Sequence, residues 1–498
     1  MARIDEITKA RIKKIEELRK KGIEPYPYSF DRNAYSIEVK KKYEKLKQNE
    51  LGKEILKVAG RVVARRQLGN IAFCHILDDK GKLQIVFEKK HSKDALDFFN
   101  TYIDVGDFIG IEGVAYRTKR GEISVMAKKI MLLSKSILPL PEKWHGLKDV
   151  EERYRKRYLD LIANPEVKEV FLKRAEIINA IREFLNAKGY VEVDTPILQE
   201  VYGGAAARPF ITFFHALKQN FFLRISPELY LKRLVIGGFE KVYEIARNFR
   251  NEGIDASHNP EFTMIEFYEA YRDYNYMAKL TEELIKYVAK KVGVNKVKWK
   301  GKEIDFGKWQ KLTMQEAFKK YAKIDIAELS EKELKDIAEK NGIEIPKGAT
   351  KGIIIDHLFE ELVQPHLVNP TFILDYPIDI SPLTKKHRSK DGWVERWELF
   401  MGGIEIANAY SELNDPIDQE QRFKQQEEAR KKGLSEEEAW PSDYGFLEAL
   451  KYGMPPCGGV GIGIDRIVML LTGANSIRDV ILFPHLRRKE KQEESEEK

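Results

Sequence analysis

The 498-residue sequence predicts an α+β protein in which a small β-barrel precedes a larger mixed domain. Two observations predict this order. Between residues 54 and 133, apolar side chains alternate with polar ones, which is typical of half-buried strands. Residues 247–271 then follow a pattern of strand, polar loop and strand among helical segments. The length is sufficient for two or three domains and at least one large core.

Composition narrows the class of protein. A hydrophobic share of 43% predicts a soluble globular chain, and no apolar run approaches the roughly 20 residues of a membrane span. The N-terminus is charged throughout, unlike a signal peptide. Cys74 and Cys457 lie far apart in sequence, which indicates neither a disulfide framework nor metal-ligand spacing. We therefore expect a cytoplasmic location and no membrane partner.

The first 50 residues predict a basic helical arm. They hold most of the net charge of +7, in a lysine-rich amphipathic pattern followed by a shorter helical one. Basic segments bind polyanions through phosphate contacts and counterion release. A solvated helix face explains the same pattern equally well.

Residues 51–137 predict an OB-fold barrel. A helix is predicted at 91–102, between the third and fourth of five strands, and an Asp-Lys-Gly turn joins the second and third. The predicted strands are 55–66, 70–78, 82–88, 107–117 and 122–133. Five strands with a helix after the third are typical of the OB-fold, a common platform for single-stranded nucleic acid.

Phe73 and Gln84 are predicted on neighbouring strands of this barrel, where a ring would stack on an unpaired base and an amide would read its edge. Arg61, Arg65 and Arg66 would hold phosphates or base edges. A place for Phe73 in the barrel core is the alternative.

The larger domain is predicted at 153–488, between a linker at 138–152 and a charged tail at 489–498. A long helix ends at Gly189 and is followed by a strand. Gly458–Gly463 is interpreted as a glycine-rich lead into a helix; it lacks the GK[ST] of a phosphate-binding P-loop.

The strand pair in 247–271 presents four side chains on one face, since Phe262, Met264, Glu266 and Tyr268 recur at a period of two. Fixed guanidinium groups beside carboxylates suit a ligand with phosphate at one end and ammonium at the other. A surface hairpin with ordinary ion pairs is the alternative.

Three segments resemble the motifs of class II aminoacyl-tRNA synthetases. FRNEG with HNPEFT resembles motif 2, GYVEVDTPIL resembles motif 1 and GIGIDRIVMLL resembles motif 3, in the family's order. The motifs would cover about 241–271, 175–198 and 458–484, respectively. MIEFYEAY resembles the lysyl branch. The resemblance implies a catalytic domain with an antiparallel sheet flanked by helices, and a homodimer joined through motif 1.

The resemblance also implies an activity and a site. The expected reaction joins L-lysine to tRNA(Lys) through lysyl-adenylate, with ATP and Mg2+. Arg250 and Arg466 are the implied catalytic residues, and Glu398 and Glu405 the implied metal ligands. The implied ATP-binding residues are Arg250, Glu252, His258, Asn259, Phe262, Glu398, Glu405 and Arg466. The implied lysine-binding residues are Gly204, Glu228, Arg250, Glu266, Tyr268, Asn408, Tyr410 and Glu412. Phe73, Gln84, Glu122 and Arg66 are implied to bind the anticodon.

Three rival functions share parts of this pattern. An aspartyl or asparaginyl synthetase has the same barrel and motifs, but an aspartate site needs positive charge where this chain has Glu266 and Glu412. A paralogue that attaches lysine to a protein would lack the barrel. A non-catalytic nucleic-acid-binding protein would not need the arginines and the acidic pair that the chain retains.

Overall fold

A computed structural model describes residues 2–140, 149–435, 439 and 441–487. The chain forms two compact units, Met1–Gly146 and Leu147–Lys498. The predicted tail at 489–498 and residues 141–148 of the predicted linker lie outside the described residues. No helix in the described part of the chain is both long and apolar enough to cross a membrane.

The N-terminal unit is a closed barrel with strand order β1-β2-β3-β5-β4, which confirms the OB-fold prediction. Its strands are β1 (Leu51–Leu68), β2 (Ile71–Asp78), β3 (Gly81–Glu88), β4 (Phe108–Arg117) and β5 (Ile123–Ser134). Its helices are α1 (Ala2–Lys20), α2 (Ser36–Lys42) and α3 (Lys93–Tyr102).

Alternating burial explains why these residues close into a barrel. Ile85 and Phe87 of β3 are fully buried, and the Phe87 ring stacks on Phe99 of α3 with centroids 4.3 Å apart. Ser92 caps α3 by accepting a bond from Ala95 N–H. The basic arm packs on the same core through Leu18, so its helices belong to this unit.

The second unit is built on an eight-stranded, largely antiparallel sheet with order β14-β15-β16-β17-β18-β11-β10-β6. The strands are β6 (Val191–Glu192), β7 (Leu198–Gln199), β8 (Ile211–Phe214), β9 (Gln219–Leu223), β10 (Lys241–Phe249), β11 (Glu261–Ala270), β12 (Lys296–Trp299), β13 (Lys302–Asp305), β14 (Gln310–Thr313), β15 (Thr371–Pro377), β16 (Trp393–Met401), β17 (Ile404–Ser411) and β18 (Cys457–Gly463). Strands β7, β9 and β8 form a separate small sheet, and β12 pairs with β13.

Helices flank this sheet, as the α+β prediction required. They are α4 (Val150–Arg155), α5 (Arg157–Ala163), α6 (Pro165–Ala187), α7 (Glu228–Ile236), α8 (Tyr274–Lys291), α9 (Met314–Ala317), α10 (Glu331–Lys340), α11 (Lys351–Leu362), α12 (Pro416–Lys431), α13 (Tyr444–Leu450), α14 (Ile464–Thr472) and α15 (Ile477–Val480). Short π and 3-10 turns lie at Phe318–Ala322, Gln364–His366 and Ile378–Ile380.

The alternation along β11 divides the sheet into two faces. Ile265 and Phe267 are fully buried in the main core together with residues of α6 and α8. Met264 and Glu266, which alternate with these two residues along the strand, line a cavity on the opposite face. The sheet therefore separates a hydrophobic core from a polar site.

Asp465 of α14 ties the three motif segments together. Its carboxylate pairs with Arg174 of α6 at 2.5 Å and accepts a bond from Thr263 N–H of β11 at 2.6 Å. Arg174 also donates to the Thr263 hydroxyl at 3.1 Å. A buried carboxylate with several charge-assisted bonds holds three elements in one arrangement.

Residues 458–463 lead into a helix as predicted, since α14 begins at Ile464, but they do so as part of β18, a strand in the middle of the large sheet that the sequence did not predict. Glycine is unfavourable in most strands, but here side chains would not fit. A Cβ at Gly459 would lie 2.1 Å from Glu412 Oε1 and 2.3 Å from Tyr268 Cε1.

Candidate active site

The β10–β11 hairpin supplies one wall of a cavity of about 630 Å³. The strands pair in register, with Glu244 opposite Glu266 and Asn248 opposite Phe262. On the other side of β11, Gly461 of β18 lies opposite Glu266. Phe262, Met264, Glu266 and Tyr268 all line the cavity, as their period of two predicted.

The structure brings together every residue implied to bind ATP or lysine. They come from the loop at 204, α7, the hairpin and its loop, β16, β17 and α14, and they line one cavity. The set is Gly204, Glu228, Arg250, Glu252, His258, Asn259, Phe262, Glu266, Tyr268, Glu398, Glu405, Asn408, Tyr410, Glu412 and Arg466. Positions up to about 260 residues apart in sequence therefore form one site.

The acidic end of the cavity is a connected network of buried side chains. Ser226 donates to Glu266 Oε1 at 2.7 Å, and the Tyr268 hydroxyl donates to Glu266 Oε2 at 3.0 Å. Ser226 Oγ also accepts a bond from Glu228 N–H at 3.0 Å. Glu266 is 3% exposed and Glu412 is 1% exposed, so neither faces bulk solvent.

Burial shifts the titration of these carboxyls upward. Loss of solvent and the charge of Glu228 raise the pKa of Glu266 to about 8. Burial also raises the pKa of Glu412 to about 8, although Lys232 opposes the shift. Both groups gain from a cation, because an uncompensated buried carboxylate is costly.

Two features show that the acidic end suits an ammonium ligand. Among the described residues, no donor forms a hydrogen bond of good geometry with either oxygen of Glu412, although Oε2 lies 2.5 Å from Lys232 Nζ. Gly204 has a φ of +83°, and a Cβ at this position would lie 2.9 Å from Glu228 Cβ. Because Gly204 has no side chain, its main chain lies directly beside Glu228 at the edge of the site. Backbone and carboxylate oxygens both accept from ammonium.

The opposite end of the cavity is cationic. The Arg250 guanidinium lies 5.1 Å from the centre of the Phe262 ring, and its buried Nε has no hydrogen-bond partner in the part of the chain that the structure describes. Burial lowers the pKa of Arg250, yet an arginine remains protonated in proteins. Arg466 donates to the Glu405 main-chain oxygen at 2.7 Å. These groups suit an anion and a flat ring.

His258 connects the motif 2 loop to α14 through the two nitrogens of its ring. Its Nδ1 lies 2.7 Å from Asp255 Oδ2, and its Nε2 lies 3.1 Å from Arg466 Nη2. Asp255 also accepts the His258 N–H, and these loop hydrogen bonds keep the pKa of Asp255 far below its usual value despite partial burial. Asn259 Oδ1 is buried without a partner among the residues that the structure describes, and Asn259 lines the same cavity.

Glu398 and Glu405 lie near the turn of the β16–β17 hairpin, where Gly402 and Gly403 have positive φ. A bulge after Leu399 shifts the register, and both carboxylates line the cavity. Among the described residues, no group of three or more His, Cys, Asp or Glu side chains is arranged to hold a metal alone. Mg2+ commonly takes one or two carboxylates plus substrate phosphates, so this pair fits it.

Three residues of the site were missed from sequence. Lys232 lies beneath the acidic network, Arg396 pairs with Glu398 and Asn408, and Asp356 of α11 lines the cavity. Burial raises the pKa of Asp356 to about 7. The spacing of Lys232 from Glu228 was a usable signal, since residues four apart on a helix are neighbours.

The barrel presents its predicted residues on one face. Phe73 lies opposite Arg66 across β1 and β2, and Gln84 lies opposite His75 across β2 and β3. Gln84 donates to Glu122 Oε2 at 3.0 Å. Phe73 is half-buried, so part of its ring is available to a ligand.

Arg61 and Arg65 differ from Arg66, because their guanidinium groups are engaged within the barrel. Arg61 donates to the Gly106 main-chain oxygen at 3.0 Å and lies over the Phe108 ring. Arg65 donates to the Ile103 main-chain oxygen. Their predicted phosphate contacts would have to replace these bonds.

A sheet that joins three motif segments over one cavity, next to an OB-fold unit in the chain, defines a class II aminoacyl-tRNA synthetase. Comparison with protein families agrees. The family described as tRNA synthetases class II (D, K and N) matches residues 149–487, and the OB-fold nucleic acid binding domain matches residues 56–133. The first match covers well over half of the chain.

Individual relatives identify the branch. The lysine–tRNA ligase of Methanoculleus marisnigri is 51% identical over 482 residues, which are 96% of this chain and 94% of the relative. That of Carboxydothermus hydrogenoformans is 50% identical over 97% of this chain and 98% of its own. The lysine–tRNA ligase of Thermotoga maritima is 48% identical over 99% of this chain and 98% of its own. The chain belongs to the lysyl branch of the class II synthetases.

Proposed function

We propose that the protein is a lysine–tRNA ligase, which activates L-lysine with ATP and transfers it to the 3′ end of tRNA(Lys). The observation that carries this proposal is the charge pattern of one cavity. Buried carboxylates without a full set of donors lie at one end, and Arg250 and Arg466 lie at the other. An aspartate side chain would be repelled by Glu266 and Glu412, whereas the lysine side chain is attracted.

Lysine would be recognised through both of its amino groups. Glu228 and the main chain near Gly204 would take the α-ammonium, while Glu266, Glu412 and the Tyr268 hydroxyl would take the ε-ammonium. Asn408 and Tyr410 share the wall of the cavity with them and are joined by a 3.1 Å hydrogen bond. The lysine carboxylate would then face Arg250.

Activation requires two anionic groups, the lysine carboxylate and the α-phosphate of ATP, to come into contact. The lysine carboxylate attacks the α-phosphorus of ATP, the bond to the bridging oxygen breaks, and pyrophosphate leaves. Arg250 would neutralise the carboxylate and the α-phosphate together, and Phe262 and Arg466 would enclose the adenine. Glu252, His258 and Asn259 would hold the nucleotide from the motif 2 loop. Positioning and charge neutralisation supply the catalysis, so no side-chain nucleophile is needed.

Mg2+ bound by Glu398 and Glu405 would neutralise charge on the triphosphate and on the departing pyrophosphate. Both carboxylates also pair with arginines: Glu398 with Arg396, and Glu405 with Arg466 at 3.2 Å. Arg466 can therefore exchange its carboxylate partner for phosphate when nucleotide and metal enter together.

Transfer and tRNA selection involve both units of the chain. A hydroxyl of the terminal ribose attacks the adenylate carbonyl, and AMP leaves. The barrel would read the anticodon, with Phe73 stacking on a base and Gln84, Glu122 and Arg66 contacting base edges or phosphate. The cytoplasmic location predicted from composition stays a prediction.

A homodimer joined through motif 1 is part of the proposal. The edge strand β6 and the small β7–β9–β8 sheet expose large apolar side chains, as a protein interface does. They are Val191, Ile197, Leu198, Val201, Ile211, Phe213, Phe214 and Leu217. Sedimentation equilibrium at micromolar concentration tests this, with twice the chain mass of 57.8 kDa as the expected result and a monomer as the contradicting one.

Amino-acid-dependent pyrophosphate exchange tests the activity. Lysine should support exchange and aspartate should not. Exchange with aspartate would favour the aspartyl rival. Tight tRNA binding without exchange would favour a non-catalytic RNA-binding protein.

A further inference from the structure

Lys232 is a fully buried ammonium that pairs with two carboxylates of the cavity wall. It lies one turn after Glu228 on α7 and is 0% exposed. Its Nζ is 2.5 Å from Glu228 Oε1 and 2.5 Å from Glu412 Oε2. The Phe446 ring of α13 lies 5.8 Å from the ammonium. A buried lysine is rare unless it is paired, and this one is paired with two carboxylates that the proposed function gives to the substrate.

The formal charges around Lys232 match a lysine ligand. When lysine has displaced the protons of the network, Glu228, Glu266 and Glu412 supply three negative charges, and Lys232 cancels one of them. The two that remain equal the two ammonium groups of lysine, while the lysine carboxylate has its own partner in Arg250. Arg396 leaves this sum unchanged, since it forms an ion pair with Glu398.

Lys232 also holds the carboxylates in place. Glu228 and Lys232 lie on the same helix, whereas Glu412 follows β17, so the bridge joins two elements. Glu412 Oε1 is left without a protein donor and lies next to Gly459 and Tyr268. A bridging ammonium therefore orients one oxygen of Glu412 and leaves the other free for a ligand.

We propose that Lys232 is a specificity-determining counter-ion that favours the ionised form of the acidic network and orients it for a dicationic amino acid. This inference rests on the proposed lysine ligase function and deepens it. Without the ammonium, the network would hold its protons more tightly, because three buried carboxylates without a counter-ion cannot all become ionised. A neutral carboxyl binds a cation weakly, so discrimination between a charged and an uncharged side chain would fall.

The test compares lysine with norleucine, which is lysine without its ε-ammonium. Calorimetric titration gives the two dissociation constants, and their ratio measures recognition of the charge. Lys232→Met removes the ammonium at similar volume and should lower this ratio at least tenfold. The KM for ATP should stay within twofold, since the nucleotide end is remote from Lys232. A general loss of structure would instead weaken both ligands.

Arg233→Met is the matched control, because it removes a cation from the same helix whose partner, Asp443, lies outside the cavity lining. The ratio of norleucine to lysine dissociation constants in the Arg233→Met protein should remain within twofold of the native value. Lys232→Arg retains the positive charge and should keep the ratio within about threefold. Circular dichroism confirms that each variant is folded.

Two results would overturn the inference. One is a folded Lys232→Met protein whose ratio of norleucine to lysine dissociation constants equals that of the native protein. The other is a Lys232→Arg protein whose ratio falls tenfold or more, as is expected only for Lys232→Met. If the Met variant does not fold, the Arg variant decides alone. Absence of lysine-dependent exchange in the native protein would instead refute the proposed function, so the two failures are distinguishable.

Discussion

Glu266 shows how a single environment can decide what a cavity binds. Within the described ranges, its two oxygens accept bonds only from neutral hydroxyls, those of Ser226 and Tyr268, and it is 3% exposed. Neutral donors leave the charge of a carboxylate uncompensated. The residue therefore favours a ligand that brings a positive charge, which connects a strand position to substrate choice.

Replacing Glu266 with Gln should raise the KM for lysine about 10- to 100-fold. A hydrogen bond to a charged group contributes about 1.5–3 kcal/mol, and about 1.4 kcal/mol is a factor of ten. The KM for ATP should change less than threefold. Pyrophosphate exchange at varied lysine and varied ATP measures both. Glu269→Gln is the control, because Glu269 bonds to Tyr190 and Arg272 outside the cavity lining. Equal effects of Glu266→Gln on the two substrates would contradict the assignment.

Lysine binding should become tighter as the pH rises from 6.5 to 8.5. The pKa values of Glu266 and Glu412 are raised to about 8, so the empty cavity holds protons below that pH. The substrate ε-ammonium, with a pKa of about 10.4, stays protonated across this range. Each proton that lysine must displace makes its KM fall up to about tenfold per pH unit. The pH profile of the lysine KM measures this, and a flat or rising profile would contradict it.

The same shifts predict how stability depends on pH. The folded state keeps protons that the unfolded chain releases above about pH 4.3. The ligand-free protein should therefore lose stability as the pH rises toward 8, and saturating lysine should restore it. Thermal unfolding should show a larger lysine-induced increase in Tm at pH 8.5 than at 6.5. A smaller increase at pH 8.5 would be evidence against buried, proton-holding carboxyls.

At the scale of elements, local pattern predicted some features and not others. The barrel strands and α3 were predicted to within a few residues, because alternation and turn residues are local signals. Strand β18 was not predicted, because its glycines are required by close contacts with residues distant in sequence, such as Tyr268. Arg396 and Asp356 were missed for the same reason: only tertiary packing brings them to the cavity. The residues of the site that were predicted came from motif resemblance, and their individual roles stay proposals.

Gly459→Ala should weaken lysine activation at least tenfold through KM. The new Cβ would lie 2.1 Å from Glu412 Oε1, so the carboxylate would have to move. Gly463→Ala on the same strand is the comparison, because its Cβ would meet its nearest neighbour at 3.7 Å, an ordinary contact. Its effect on the lysine KM should be much smaller. Similar lysine KM values for the two variants would show that β18 does not shape the lysine end.

At the scale of the whole molecule, two compact units predict two separable activities. Phe73→Ala in the barrel should lower kcat/KM for tRNA about 10- to 100-fold, since base stacking contributes about 1–3 kcal/mol. Lysine-dependent pyrophosphate exchange should be unchanged. Phe98→Ala is the control, because this half-buried ring of α3 packs on Tyr102, which has no predicted anticodon role. Aminoacylation assays measure the effect, and an equal loss in both variants would contradict an anticodon role for Phe73.

The central claim is that the charge of one cavity selects a cationic amino acid for activation. ATP–pyrophosphate exchange by the purified protein, with lysine, aspartate and asparagine supplied separately, tests it most directly. We expect strong exchange with lysine and background exchange with the other two. Exchange driven by aspartate or asparagine, or none with lysine, would contradict it.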